Sequence, residues 1–130
     1  MSADEEIVAG KQILVVEDDT DILAMIRTVL ELRGAAVDAV TTAAEARSRV
    51  GRQTFDALIL DWNLPDTSGD EFLLWLERHQ PDLACRCVVI TGHMLSSREL
   101  DEAENSGAAF LAKPFRPAAL IAAVASVLSS

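Results

Sequence analysis

Residues 55–69, FDALILDWNLPDTSG, decide the fold. The first six residues are almost all apolar, which is typical of a strand covered on both faces of a sheet. The apolar run ends at Asp61, and the residues after it are rich in turn formers, among them Asn63 and Pro65. The stretch therefore predicts a buried strand at 55–60, followed by a loop that begins with an acidic residue.

Strand and helix patterns alternate on both sides of this stretch. Short apolar runs predict further strands at 11–16, 35–40, 87–90 and 108–112, and apolar residues at helical spacing predict helices at about 20–33, 42–51, 70–79, 96–106 and 116–128. Thr42 and Glu45 have the spacing of a helix start, and Gly34 is a natural helix end. The alternation predicts one α/β domain of the flavodoxin-like (βα)5 type, with a doubly wound parallel sheet of order 2-1-3-4-5 and helices on both faces.

The two ends of the chain leave fewer signals. Residues 1–10 are acidic, and we expect a loose N-terminal tail there, followed by a domain over 11–130. The last predicted helix places Ala118, Ala122 and Ala125 on an outer face, which is either exposed to solvent or available to a partner. A stand-alone regulator and a domain excised from a longer protein both remain open.

Composition excludes several classes of protein. A chain of 130 residues suits one domain, which buries roughly two thirds of its unfolded surface. The formal net charge of -10 would repel a phosphate backbone, so we expect no direct binding to nucleic acid. The apolar runs are far shorter than the ~20 residues that cross a bilayer, and no export signal is present. We therefore expect no membrane association and a cytoplasmic location.

The two cysteines, Cys85 and Cys87, lie two residues apart in an apolar run. Strand alternation would place both side chains on one face, and free cysteine is often buried, so we expect two core thiols. A metal site at these thiols would need further ligands, and His79 and His93 are the chain's two histidines.

The informative polar residues follow the predicted strands. Glu17, Asp18 and Asp19 follow the first strand, Asp61 the third, Thr91 the fourth and Lys113 the fifth. The carboxyl ends of parallel strands meet at one edge of a sheet, where ligands bind at the point of reversal in strand order. These side chains are therefore expected to share one site.

Gathered carboxylates repel one another, and a bound cation relieves the repulsion. Oxygen ligands with access to water suit Mg2+, which takes one or two carboxylates and keeps several waters. Lys113 adds a fixed positive charge and Thr91 a hydroxyl donor. Together these groups predict a pocket for a phosphoryl group, with Asp61 as its nucleophile.

The segments ILVVEDD (13–19), LILDWNLPDTSG (58–69), VVITGH (88–93) and FLAKPF (110–115) resemble, in this order and spacing, the signature segments of the response-regulator receiver family. The resemblance covers roughly residues 11–129. It implies that Asp61 is the phosphoacceptor and that Glu17, Asp18, Asp61 and the backbone carbonyl of Asn63 bind Mg2+ or Mn2+. It also implies that Thr91 and Lys113 contact the phosphoryl group.

The same resemblance implies roles around this site. Thr91 and Phe110 would form the switch, although Phe110 lacks the hydroxyl of the tyrosine often found there. Asn63 and His93 would tune dephosphorylation, and the bond between Lys113 and Pro114 would be cis. A sensor histidine kinase or a histidine phosphotransfer protein would be the donor. Phosphorylation would change the face formed by the fourth helix (96–106), the fifth strand and the fifth helix, with an effector or a second copy of the chain as the reader.

Two other functions share part of this pattern of site residues. A phosphatase of the haloacid dehalogenase type also uses an aspartate at a strand end, magnesium, a hydroxyl residue and a lysine. It needs a second aspartate two residues later, and Asn63 occupies that position. A degenerate interaction module that works without phosphate is the other alternative, but no group of the site is missing. We therefore expect no enzyme activity beyond the domain's own phosphorylation and dephosphorylation.

Overall fold

A computed structural model describes residues 2–92 and 96–129, without the side chains of residues 102–104 and 106. Its five strands are β1 (Gln12–Val16), β2 (Ala36–Val40), β3 (Ala57–Asp61), β4 (Cys87–Thr91) and β5 (Ala109–Ala112). They form one parallel sheet of order β2-β1-β3-β4-β5, as predicted. Because β1 lies beside β3, with Val16 paired to Leu60, the residues that follow these two strands emerge next to each other.

Seven helices are described. They are α1 (Ala3–Val8), α2 (Thr20–Glu31), α3 (Ala43–Arg52), α4 (Gly69–His79), α5 (Pro81–Ala84), α6 (Ser97–Ser106) and α7 (Pro117–Leu128). The five longer helices, α2, α3, α4, α6 and α7, confirm the predicted ones. Thr42 caps α3 by accepting a hydrogen bond from the backbone N–H of Glu45, as its spacing indicated.

The sheet separates two apolar cores. One contains Ile13, Val15 and Ile59 from the strands, packed with side chains of α2 and α7. The other contains Leu14, Leu58, Val89 and side chains of α3, α4 and α5. Successive strand residues point to opposite faces, so each strand supplies both cores. Burying each of these large aliphatic side chains contributes about 1.5–3 kcal/mol.

The expected loose tail at residues 1–10 is wrong for its described part. Ser2 and Glu5 form a reciprocal capping box that starts α1. Val8 is fully buried in the core beside α7, and Ala125 of α7 is 2% exposed instead of lying on an outer face. The backbone N–H of Gly10 donates to the carbonyl of Gly34 at 2.9 Å. The N-terminal segment is therefore part of the domain.

The expectation for the cysteines is half right. Cys87 begins β4 and is fully buried, and burial raises the pKa of its thiol. Cys85 is exposed because the chain there has just left the short helix α5, which the sequence analysis did not predict. Strand alternation therefore does not apply to Cys85. Among the described residues, no helix has the length and apolar character needed to cross a bilayer.

Candidate functional site

Three carboxylates meet at the carboxyl edge of β1 and β3. One oxygen from each of Glu17, Asp18 and Asp61 lies within 4.8 Å of the others. Glu17 is fully buried and Asp61 is 3% exposed, whereas Asp18 is exposed. The sequence prediction that these groups converge is confirmed. Asp19 lies outside this group, because its side chain caps α2 by accepting from the backbone N–H of Asp21 at 3.0 Å.

Lys113, which follows β5, reaches into the same cluster. Its ammonium nitrogen lies 3.3 Å from Oε2 of Glu17 and 3.7 Å from Oδ1 of Asp61. The backbone N–H of Lys113 donates to the carbonyl of Thr91 at 2.8 Å, which aligns the ends of β4 and β5. The peptide bond between Lys113 and Pro114 is cis, as the resemblance implied. One ammonium therefore faces two carboxylates that have almost no contact with water.

The environment of Asp61 disfavours its charged form. Burial raises the pKa of Asp61 from its usual 3.8 to about 7, against the effect of the backbone N–H of Asn63, which donates to Oδ1 at 3.1 Å. Hydrogen bonding to Asp18 and the negative charge of Glu17 contribute to the same rise in the pKa of Asp61. Asp61 is therefore only partly ionised near neutral pH, and added positive charge would favour its carboxylate form.

The cluster suits a divalent cation. Oε2 of Glu17 is buried and accepts no hydrogen bond from any described residue, although the ammonium of Lys113 lies near it. A buried acceptor of this kind needs a partner. Three carboxylates, opposed by one ammonium, leave a surplus of negative charge. Oxygen donors of this kind are those that hard cations prefer.

The remaining predicted residues surround this cluster. Thr91 ends β4, is 6% exposed and pairs with Ala112 of β5. Asn63 follows β3, is exposed, and forms an isolated β-bridge with Ser68. Phe110 is partly buried against the core that contains α3, α4 and α5. It therefore packs on the face of the sheet that carries α3, α4 and α5. His93 lies outside the described residues.

The loop after Asp61 is held by hydrogen bonds that the sequence did not predict. Asp66 accepts hydrogen bonds from the backbone N–H groups of Ala43 and Ala44, both at 3.0 Å, and these bonds lower the pKa of Asp66. Its partners lie more than twenty residues away in the chain, so no local pattern indicates the contact. Asp66 thus ties the loop to the first turn of α3.

Trp62, the residue after Asp61, forms a second hydrogen bond that holds this loop. The indole Nε1 of Trp62 donates to Oε2 of Glu99 at 2.6 Å. The other oxygen of Glu99 accepts from the backbone N–H of Ser96, in a capping box that starts α6. A Cβ at Gly69 would lie 2.6 Å from the Trp62 ring, so Gly69 leaves the space that this ring fills. The Ser-x-x-Glu spacing of Ser96 and Glu99 indicates a helix cap. No sequence pattern indicates the hydrogen bond from Trp62 to Glu99.

Comparisons with known proteins agree with this fold and site. Residues 13–125 match the model of the response regulator receiver domain. The chain is 33% identical over 122 residues to the transcriptional regulatory protein GltR of Pseudomonas aeruginosa, covering 92% of this chain and 49% of that protein. It is 29% identical to the phosphate regulon transcriptional regulatory protein PhoB of the same species, covering 92% of this chain and 52% of that protein.

A solved structure is similar over nearly the whole domain. A CheY-like response regulator receiver domain protein from Methanospirillum hungatei superposes with a TM-score of 0.84 at 31% identity, covering 92% of this chain and 94% of that chain. The chain belongs to the response regulator receiver domain family. Its acidic cluster of Glu17, Asp18 and Asp61 fits the phosphorylation site of such a domain. The chain spans about half the length of the first two relatives named above.

Proposed function

We propose that this receiver domain accepts a phosphoryl group on Asp61 with the help of Mg2+ bound by Glu17, Asp18, Asp61 and the backbone carbonyl of Asn63. The observation that carries the proposal is the meeting of three carboxylates within 4.8 Å beside the ammonium of Lys113. Mn2+ has similar oxygen preferences and would substitute for Mg2+.

The proposed reaction is one in-line displacement. A carboxylate oxygen of Asp61 attacks the phosphorus of a phosphohistidine, the new O–P bond forms as the N–P bond breaks, and the electron pair returns to the imidazole nitrogen. Lys113 and the hydroxyl of Thr91 would stabilise charge on the equatorial oxygens of the phosphoryl group. Bound Mg2+ would neutralise part of the same charge. The burial that raises the pKa of Asp61 makes the attacking carboxylate dependent on these cations.

The proposed donor is a sensor histidine kinase or a histidine phosphotransfer protein. Thr91 and Phe110 would be the switch residues, and the changed face would be the one formed by α6, β5 and α7. An effector, or a second copy of the chain, would bind this changed face. GltR and PhoB are named as transcriptional regulators, so a regulatory output in the cytoplasm is the natural expectation.

We further propose that the domain turns over only its own acyl phosphate. Asn63 and His93 would tune the attack of water on the phosphorylated aspartate. An enzyme of the haloacid dehalogenase type would instead need a carboxylic acid at the position of Asn63. Sustained release of phosphate from small phosphoesters would contradict this part of the proposal.

Phosphorylation of Asp61 is tested with a small phosphodonor such as acetyl phosphate. The chain is incubated with and without Mg2+, and its intact mass is measured. One added phosphoryl group is expected with Mg2+ and much less with a chelator. Asp61→Asn should gain none, and Asp82→Asn, which changes an exposed carboxylate on α5, should behave as the unmodified chain does. An adduct that persists in Asp61→Asn, or is lost equally in Asp82→Asn, refutes the proposal.

A further inference from the structure

A groove of about 330 Å³ lies between α3 and α4, away from the carboxylate cluster. It is lined by Arg47 of α3 and by Glu71, Leu74, Trp75, Arg78 and His79 of α4. These helices pack on the opposite face of the sheet from α2 and α7. None of the described residues that line it belongs to α6, β5 or α7, so binding in the groove is tested on the unphosphorylated chain.

The arginines of the groove differ from three others in the chain. Arg27, Arg33 and Arg49 each form an ion pair with a carboxylate. Among the side chains that the structure describes, neither Arg47 nor Arg78 forms an ion pair with an acid. In a chain with a formal net charge of -10, this groove therefore presents two guanidinium groups without a close ion pair among the described side chains, although the charge of Arg47 helps to lower the pKa of Asp66.

Arg47 has a further unsatisfied group. Its Nε is buried and finds no hydrogen-bond acceptor among the described residues. A buried donor without a partner costs about 1–3 kcal/mol, and a shift of the Arg47 side chain toward an added acceptor would recover this free energy. Glu71, the acid in the lining, already accepts a hydrogen bond from the hydroxyl of Thr67 at 2.7 Å. The groove thus holds two arginines against one carboxylate, whose capacity to accept hydrogen bonds is already partly used.

The apolar part of the groove is fixed in place. The ring of Trp75 stacks on His79, with centroids 4.7 Å apart, and the guanidinium carbon of Arg47 lies 5.8 Å from a ring centroid of Trp75. A cation over an aromatic ring is attracted to it by about 0.5–1 kcal/mol at exposed sites. Leu74 beside them is 48% exposed. A partner would therefore meet a preformed apolar wall flanked by cations.

We propose that this groove binds an acidic segment of a partner protein, in which carboxylates flank an apolar residue. The carboxylates would pair with Arg47 and Arg78, and the apolar residue would pack on Leu74 and Trp75. Arginine suits this role because its planar fork donates two hydrogen bonds to one carboxylate. The negative charge of the remaining surface would repel the same segment, which confines its docking to the groove.

The proposal is tested by fluorescence anisotropy with a labelled synthetic peptide that has one Phe between pairs of Glu. The matched peptide has Gln in place of Glu. Binding to the unmodified chain should be at least about tenfold tighter for the Glu peptide, and this preference should shrink as salt is raised. Equal binding of the two peptides overturns the proposal.

Matched variants locate the binding. Arg47→Glu with Arg78→Glu should weaken binding of the Glu peptide at least about tenfold. Arg27→Glu with Arg52→Glu makes the same change in net charge at exposed positions of α2 and α3, and should weaken it less than about threefold. Equal weakening by both pairs would mean that only net charge matters, and would overturn the proposal.

A measurement on the unmodified chain removes any dependence on the folding of these variants. Amide chemical shifts are recorded by NMR as the Glu peptide is added. The largest changes are expected around Arg47 and between Glu71 and His79. Changes concentrated elsewhere, or none at peptide concentrations that saturate the anisotropy signal, would overturn the assignment of this groove.

Discussion

Asp61 makes stability depend on pH in an unusual direction for a carboxyl group. Its pKa in the folded chain, about 7, lies above its usual 3.8 because of burial and the neighbouring acids. Between these values the folded state holds a proton that the unfolded state has lost. The contribution of Asp61 to stability is therefore present below about pH 4 and is lost as pH rises toward 7.

Replacing Asp61 by Asn should remove this pH dependence. In a chelating buffer, the variant should gain stability over the unmodified chain as pH rises from about 5 to about 8, by about 1–3 kcal/mol. Urea denaturation at both pH values measures the difference. Added Mg2+ should stabilise the unmodified chain by about 2.7 kcal/mol at one hundred times its Kd, and the variant much less. A stability difference that does not change with pH would contradict the cause assigned to the raised pKa of Asp61.

The helices and strands were largely predictable because the sequence repeats one alternation, an apolar strand followed by an amphipathic helix. Each strand is an apolar run and each long helix has regular apolar spacing, so both patterns appear locally. Helix α1 was missed because six residues are too few to show a period, and its stability depends on contacts with α7. The contact of Asp66 with α3 was missed for a related reason, because both of its partners are distant in the chain.

Helix α1 should contribute measurably to stability through Val8. Val8→Ala removes buried carbon atoms from the core beside α7 and should lower the free energy of unfolding by about 1–2 kcal/mol. Asp4→Ala, on the exposed side of the same helix, should change it by less than about 0.5 kcal/mol. Urea denaturation of both variants tests this. Equal effects of the two substitutions would mean that α1 is not packed as described.

For the molecule as a whole, the sheet separates two cores that should respond independently. Ile26→Val lies in the core of α2 and α7 and should cost about 0.5–1.5 kcal/mol, and Leu76→Ala lies in the other core and should cost about 2–5 kcal/mol. The double variant should lose the sum of the two within about 0.5 kcal/mol.

A matched pair within one core provides the control for this independence. Ile26→Val and Leu30→Ala change side chains four residues apart on α2, both fully buried. Neighbours of this kind commonly deviate from additivity by about 0.5–3 kcal/mol. A larger deviation for Ile26 with Leu76 than for Ile26 with Leu30, measured in the same denaturation experiment, would show that strain crosses the sheet.

The contrast between the two cysteines has a practical consequence. Cys85 is exposed beyond the end of α5, whereas Cys87 is enclosed in β4 with a thiol whose pKa is raised by burial. Alkylating reagents attack the thiolate and need access to it. A maleimide dye added to the folded chain would therefore attach at Cys85 alone, which gives a single optical label without any engineered residue.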